Sequence, residues 1–401
     1  MTFEDWPVEE DVVAATKQRL AWPDVAKGIS ILGVVLLHLT IAVPDAQNSF
    51  LAQANRILDP LRMPLFFLIS GFFSAKILKF SFRELFTRRL WFFLVPYTIW
   101  VPVEVRLKMY ETSAVFDSEM PALASVIGNV LLGVNMAWFL YALVWFNIFL
   151  WAVRKLPSWA GFALSFSPLL TLPWHFDYHM FGKAVLYLPI FVFGCCARRY
   201  LRTFAERCLH PTYLAGTAVL YAVGLAVFIG WARFRENNEL ILPWPSFGAE
   251  TIDTPAIELP VRLITQFLML AAGITLAVVV AKIPLISPAL QFIGRHTLPV
   301  YIGHPIALTV LYHYTQYHLQ IPVSEDADHW IGSTGFWMAA TFAICIIGGL
   351  SMWALSQIPV IGWTVTPPPI EKRSRVREIS TSRGEHPGQA QPQEPSGRAR
   401  R

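Results

Sequence analysis

Three ionisable side chains that could do chemistry lie at helical spacing in the first apolar segment of the chain. Asp24, Lys27 and His38 belong to the stretch D-V-A-K-G-I-S-I-L-G-V-V-L-L-H. On a helix, Lys27 and His38 project from nearly the same face about 16 Å apart, and Asp24 lies about 21 Å from His38. Asp24 and Lys27 could equally cap the helix at a membrane interface. His38 lies too deep for that, and because ionisable groups inside a membrane are costly, we interpret it as functional.

The composition predicts a membrane protein. Of the 401 residues, 55% are hydrophobic and only 15% are charged, whereas soluble proteins carry about a quarter charged residues. Apolar runs of about twenty residues recur, each long enough to span a bilayer. Only helices satisfy the backbone of runs this continuous, so we predict an all-α, polytopic membrane helix bundle. The acidic leader differs from the positively charged start of a signal peptide.

We predict ten transmembrane helices. Their ranges are 24–43, 57–79, 89–107, 135–154, 158–173, 183–200, 212–232, 259–281, 297–316 and 334–356. The chain then divides into a polar cytoplasmic leader at 1–23, a membrane domain at 24–356 and a basic, Pro-rich tail at 357–401, whose composition predicts disorder. An apolar segment within 108–134 is too short to span and predicts an interfacial or re-entrant helix.

The basic residues predict the orientation. With the N-terminus in the cytoplasm, 24 of the 32 lysines and arginines fall on the inner side. Positive residues favour that side, so both termini are predicted to be cytoplasmic, with the protein in the cytoplasmic (inner) membrane. The net charge of +5 comes mostly from the tail. A basic segment beside a membrane binds anionic lipid, and we therefore predict no nucleic-acid partner.

The cysteines predict no disulfide framework, and the clustered histidines predict no metal site. None of the four cysteines lies in a predicted outer loop, so no disulfide framework is expected. His175, Asp177 and His179 alternate in an outer loop. Three alternate side chains with no fourth partner make a poor zinc site, and we predict no metal.

Five further stretches follow the first one in a fixed order. They are R-M-P-L-F-F-L-I-S-G-F from Arg62, R-R-L-W-F-F-L-V-P-Y from Arg88, W-F-L-Y-A-L at 138–143, Y-L-P-I-F-V-F-G at 187–194 and I-G-R-H-T-L-P-V-Y-I-G-H from Ile293. Together with the stretch from Asp24, they make residues 20–355 resemble the acyltransferase-3 family of integral membrane acyltransferases. Any one of these motifs is weak, whereas six of them in the family's order are specific.

The resemblance implies transfer of an acyl group, usually acetyl from acetyl-CoA, to a hydroxyl of an envelope glycan or glycolipid. Both kinds of acceptor remain open. The family's pattern of a basic residue followed eleven residues later by a histidine matches Lys27 and His38, and that histidine is the family's catalytic residue. The basic residue is usually arginine, and lysine offers a phosphate only a point charge. The family's other arginines match Arg62, Arg88 and Arg89.

The residues suit that reaction. O-acylation requires a base, and neutral histidine is the usual base near pH 7. We assign catalysis to His38, Asp24 and Tyr301. Asp24 lies too far along the helix to orient His38 directly, and either Tyr301 or Ser70, from other spans, could do so. Two further groups complete the predicted site: Lys27, Arg88, Arg89 and Arg295 at the inner mouth for the CoA phosphates, and Arg62, Ser70 and His304 for the substrate.

The depth of His38 predicts the direction of transfer. It lies about 21 Å from the cytoplasmic end of a hydrocarbon core of about 30 Å, nearer the outer side. A CoA held near Lys27 would reach His38 with an arm of about 16 Å. His38 would then activate the acceptor hydroxyl or carry the acyl group itself.

Two other classes of protein fit some of these features. A secondary transporter, or an exporter of glycolipid or polysaccharide, could use His38 as a proton relay. Such carriers tend to have internal repeats and paired broken helices, which the sequence lacks. A non-catalytic scaffold leaves His38 and the inner cations unexplained. The sequence leaves the oligomeric state open.

Overall fold

Helices form at every apolar segment of the chain. The structure, a computed structural model, describes residues 20–176, 178–246, 249–320, 322–324 and 329–370. Its α-helices are α1 (Ala21–Ala42), α2 (Phe50–Ile57), α3 (Asp59–Phe72), α4 (Phe82–Leu85), α5 (Trp91–Val115), α6 (Leu123–Leu132), α7 (Trp138–Ala152), α8 (Ser158–Leu164), α9 (His179–Cys196), α10 (Arg198–Arg207), α11 (Pro211–Asn237), α12 (Thr254–Val280), α13 (Ile286–Arg295), α14 (Thr297–Ala307), α15 (Tyr314–Leu319) and α16 (Thr334–Ser356).

Seven helical segments among the described residues are long and apolar enough to cross a membrane. They are Ala21–Ala42, Leu61–Lys79, Phe82–Val115, His179–Cys196, Pro211–Asn237, Thr254–Val280 and Thr334–Ser356. Each overlaps one predicted span, which confirms the prediction of an α-helical, multi-pass membrane protein. The count of ten spans and the cytoplasmic position of both termini stay predictions.

The remaining three predicted spans are short or interrupted helices. Trp138–Ala152 is apolar but has only 15 residues. The segment 158–173 is not one continuous helix, because α8 ends at Leu164 and a 3-10 segment with Pro168 and Pro173 follows. Proline lacks the backbone N–H that a helix interior needs. In the segment 297–316, a π-helical turn at Leu308–His313 separates α14 from α15.

The long predicted outer loops also contain regular structure. Helix α6 lies within 108–134, where a short helix was expected, and α5 extends to Val115, beyond the predicted end at 107. Between α11 and α12, strands β1 (Leu242–Ser246) and β2 (Ala249–Ile252) pair antiparallel. The described chain is therefore helical apart from this small hairpin.

The predicted terminal segments are mostly outside the described residues. Residues 1–19 of the leader and 371–401 of the tail are not described, and α1 already begins at Ala21. The described chain up to Pro369 forms one compact unit.

Helix α1 lies among α3, α12, α13, α14 and α16. Its backbone touches that of α13, since a Cβ on Gly28 would lie 2.4 Å from the carbonyl oxygen of Leu290. Helices α14 and α16 meet in the same way, since a Cβ on Gly303 would lie 2.1 Å from the carbonyl oxygen of Gly348. Small residues let membrane helices approach this closely. These contacts fix α14, and with it the residue after Gly303, relative to the rest of the bundle.

Candidate active site

A pair of histidines from two helices forms the centre of the candidate site. His38 on α1 and His304 on α14 lie with Nδ1 of His38 2.9 Å from Nε2 of His304. Their rings are stacked, with centroids 5.1 Å apart. His304 is fully buried, and His38 is partly exposed. The group that contacts His38 is therefore His304, which the sequence analysis assigned to substrate binding, rather than Tyr301 or Ser70.

The hydrogen bonds of the pair determine where its protons lie. Nδ1 of His304 is 2.8 Å from the carbonyl oxygen of Val300. A carbonyl only accepts, so Nδ1 of His304 carries the hydrogen, and in the neutral ring Nε2 is then an acceptor. Nδ1 of His38 must therefore donate to it. This assignment, inferred from the network, leaves Nε2 of His38 with the lone pair that a base or nucleophile needs.

Tyr301 and Ser70 lie in different surroundings. The ring of Tyr301 packs against His304 with centroids 5.8 Å apart, and its hydroxyl donates to the carbonyl oxygen of Met136 at 2.6 Å. Tyr301 therefore contacts the histidine pair through the ring of His304. The hydroxyl of Ser70 donates to the carbonyl oxygen of Phe66 in its own helix at 2.8 Å. That bond gives Ser70 a local role in α3.

Arg62 reaches the histidine side of α1 through a gap left by a glycine. A Cβ on Gly33 would lie 2.8 Å from Cδ of Arg62, so the arginine stem crosses α1 one to two turns before His38. Arg62 is buried and ion-paired with Asp59, which also binds Arg262 at 3.0 Å.

At the other end of α1, Asp24 is held by a different partner. It is buried and accepts a hydrogen bond from Nε of Arg295 at 3.3 Å. Arg295 also binds Gln291 at 2.8 Å. Asp24 thus anchors the end of α13 against α1, and it lies about 21 Å along the helix from His38.

The predicted inner cations divide into two kinds. Nζ of Lys27 lies 5.1 Å from the ring centroid of Phe73, and Arg89 donates to the hydroxyl of Ser74 at 3.0 Å. Because Phe73 and Ser74 are neighbours at the end of α3, Lys27 and Arg89 flank the same helix end. We call Lys27, Arg89 and Arg295 the cation cluster. Arg88 is exposed and ion-paired with Glu84 at 3.5 Å, so it points away from the cluster.

A narrow, mostly apolar cavity of about 10 Å³ lies beside the middle of α1. It is lined by Ser30, Ile31, Val34, Met63, Phe66, Phe139, Thr297 and Tyr301. Three of these residues belong to α1 between Lys27 and His38. The cavity is therefore a small gap, about the size of one water molecule, beside the part of α1 between Lys27 and His38.

Sequence reasoning missed a polar face on α5. Glu104, Lys108 and Glu111 follow one another at spacings of four and three residues, which places them on one side of a helix. Glu104 is buried, Lys108 binds Glu111 at 2.7 Å, and Glu111 pairs with His313. The spacing could have revealed this face, but the predicted span ended at 107.

Within the residues described, no group of three or more His, Cys, Asp and Glu side chains could hold a metal ion. Asp177, part of the alternating set considered above, lies outside the described residues. The four cysteines are free, and Cys195, Cys208 and Cys345 are buried.

Comparison with known families gives one match. The acyltransferase domain model of the acyltransferase-3 family matches residues 20–355. That range includes both histidines, the cation cluster and the polar face of α5. No curated protein and no solved structure matches the chain.

Proposed function

Because the chain belongs to the acyltransferase-3 family, we propose that it transfers an acyl group from cytoplasmic acyl-CoA to a hydroxyl of an envelope glycan or glycolipid. We take acetyl-CoA as the donor and the cytoplasmic (inner) membrane as the location. The observation that carries the proposal is the pair of His38 and His304, in which hydrogen bonding directs Nδ1 of His38 to His304 and leaves Nε2 available.

In this mechanism His38 is the base. Nε2 of His38 takes the proton as the acceptor oxygen attacks the thioester carbonyl, and the C–S bond then breaks. The CoA thiolate that leaves takes the proton from His38, which restores the starting state. His304 accepts the Nδ1 hydrogen throughout, which holds the ring in place and stabilises the imidazolium. Attack by Nε2 itself, with a transient acyl-histidine, uses the same geometry.

The donor would enter at the cation cluster. Lys27, Arg89 and Arg295 offer charge to the CoA phosphates, while Asp24 positions Arg295. From Lys27 the arm of CoA would cross about 16 Å to His38. The gap beside α1 has room for only about one water molecule, so side chains such as Met63 and Phe66 would move aside to admit the arm.

The test uses purified protein in sealed vesicles with acetyl-CoA on the cytoplasmic side and a glycan acceptor on the other side. Release of free CoA thiol and acetylation of the acceptor are measured. His38→Ala should lower turnover by a factor of about 100 or more, which is the usual contribution of a general base. The control is His210→Ala, which replaces an exposed histidine far along the chain. Full activity in His38→Ala would reject the catalytic role.

The same experiment tests the alternative of transport. An intramembrane histidine pair also suits a proton relay. If the wild-type protein turned over no acetyl-CoA but carried protons in a His38-dependent manner, the transporter would replace the enzyme. Acetylation of an acceptor confined to the cytoplasmic side would reject transfer across the membrane.

A further inference from the structure

The polar face of α5 borders a cavity that the mechanism above does not use. Its volume is about 360 Å³, within the range of about 300–1,000 Å³ that small-molecule sites occupy. Glu104, Lys108, Asn129 and Asn135 contribute polar groups, and Met109 and Val134 contribute apolar ones. The cavity thus combines a few converging polar side chains with an apolar wall.

Two of these side chains have hydrogen-bonding capacity that the protein does not meet. Within the described residues, Oε2 of Glu104 and Oδ1 of Asn135 are both buried without a hydrogen-bond partner. The amide nitrogen of Asn135 donates to the Tyr97 hydroxyl at 3.0 Å, which assigns its oxygen to the acceptor role. Leaving a buried acceptor unmet is costly. Neither oxygen meets a donor in the described part of the chain, so each is available to accept a hydrogen bond from a bound molecule.

The cavity adjoins the histidine pair through one residue. Met136 lines the cavity, and its carbonyl oxygen accepts the Tyr301 hydroxyl at 2.6 Å. Tyr301 in turn packs against His304. Glu104 and His38 also lie at similar distances from the starts of their helices. Glu104 lies about 20 Å along α5 from Trp91, and His38 lies about 21 Å along α1 from Asp24.

We propose that this cavity is the acceptor subsite and that it binds a polyhydroxylated sugar unit. Glu104 and Asn135 each accept a hydrogen bond from one sugar hydroxyl, and Lys108 donates to a third oxygen. A hydroxyl beyond these contacts is then directed toward His38. This inference rests on the proposed function. A CoA phosphate is a poor occupant, because the carboxylate of Glu104 would repel it.

The test compares two acceptors and water. Transfer of acetyl to methyl glucoside and to 1-butanol is measured in the full-length protein, together with hydrolysis of acetyl-CoA in the absence of either. Wild-type protein should favour the glucoside. Glu104→Gln keeps one acceptor oxygen but removes the charge, so it should raise KM for the glucoside about tenfold, the difference between a hydrogen bond to a charged group and one to a neutral group. Transfer to 1-butanol and KM for acetyl-CoA should stay the same.

Controls separate this inference from the proposed function. Glu206→Gln makes the same change at an exposed residue of α10 and should match the wild type. His38→Ala should lose all three reactions. If it does so while Glu104→Gln keeps the wild-type KM for the glucoside, the assignment of the acceptor subsite is rejected and the proposed acyltransferase activity is kept. A wild-type protein that does not distinguish glucoside from butanol also overturns the subsite. Activity in His38→Ala counts against the proposed mechanism instead.

Discussion

The two proposed binding regions differ in how far the protein itself satisfies their polar groups. At the N-terminal end of α1, each member of the cation cluster already contacts the protein, Lys27 at Phe73, Arg89 at Ser74 and Arg295 at Asp24. In the α5 cavity, two buried oxygens meet no donor among the described residues. Cations at a membrane surface also serve as anchors. Unmet acceptors in an apolar environment have no comparable structural use.

This contrast indicates how strongly each end depends on a bound molecule. The N-terminal end of α1, where acyl-CoA is proposed to bind and which we call the donor end, would gain phosphate contacts in addition to existing ones. Single substitutions there should therefore have modest effects. If the α5 cavity binds the acceptor as proposed, the acceptor would supply the missing donors, and the histidine pair would depend on one hydrogen bond between its members. Substitutions near that bond should have the larger effects.

Apart from His38 itself, the largest of these effects is expected at His304. His304→Ala removes the acceptor of the Nδ1 hydrogen of His38 and leaves that hydrogen buried without a partner. A loss of this kind corresponds to a decrease in kcat of about 10- to 100-fold. KM for acetyl-CoA should change little, because the cation cluster is untouched. Steady-state kinetics of thiol release measure both constants.

The matched control is His296→Ala, which removes a ring that bonds its own helix at Phe292. An unchanged kcat in His304→Ala would mean that His38 needs no orientation from α14. A rise in KM for acetyl-CoA with constant kcat would place His304 at the donor end instead.

The extent to which the sequence predicted this site depends on distance along the chain. The relation of Lys27 to His38 follows from spacing within one helix, and both were identified. The contact between His38 and His304 joins residues 266 positions apart, which no local pattern reveals. The sequence analysis therefore selected both residues but gave them separate roles.

Local irregularities in the helices explain two other differences between the sequence predictions and the structure. The π-helical turn at Phe86–Leu90 rotates the chain before α5, so Arg88 faces outward and Arg89 inward. Neighbouring residues of a helix already point about 100° apart, but the sequence alone does not say which of the two faces the bundle. Glu104 was overlooked because Lys108 and Glu111 were assigned to a loop, whereas α5 continues through them to Val115.

A second prediction concerns the packing that positions His304. Gly303→Ala places a methyl group against the carbonyl of Gly348, so α14 must move away from α16. Overpacking of this kind costs about 1–3 kcal/mol. We expect a lower midpoint of thermal unfolding and a decrease in kcat of about tenfold, since the next residue is half of the histidine pair.

Gly216→Ala provides the control, because a Cβ there meets no atom within 4 Å. In a helix interior, alanine stabilises by about 0.5–1 kcal/mol relative to glycine. Gly216→Ala should therefore unfold at the same or a higher temperature with full activity. If Gly303→Ala behaved in the same way, the contact between α14 and α16 would not position His304.

The smallest predicted effect tests the donor end by comparing two adjacent arginines. Arg89→Gln removes a cation from the cluster, whereas Arg88→Gln removes one that is exposed and paired with Glu84. Both changes subtract one charge from the same side of the protein, so they alter anchoring in the membrane equally. If Arg89 binds a CoA phosphate, its loss should raise KM for acetyl-CoA about three- to tenfold, as expected for one partly screened charge contact, while Arg88→Gln stays within about twofold. The dephospho analogue of acetyl-CoA sharpens the result, because removing the phosphate that Arg89 contacts should abolish the difference between the variants. Equal KM values for the two variants would show that both arginines act through membrane anchoring alone. Arg89 would then not be a contact of acetyl-CoA.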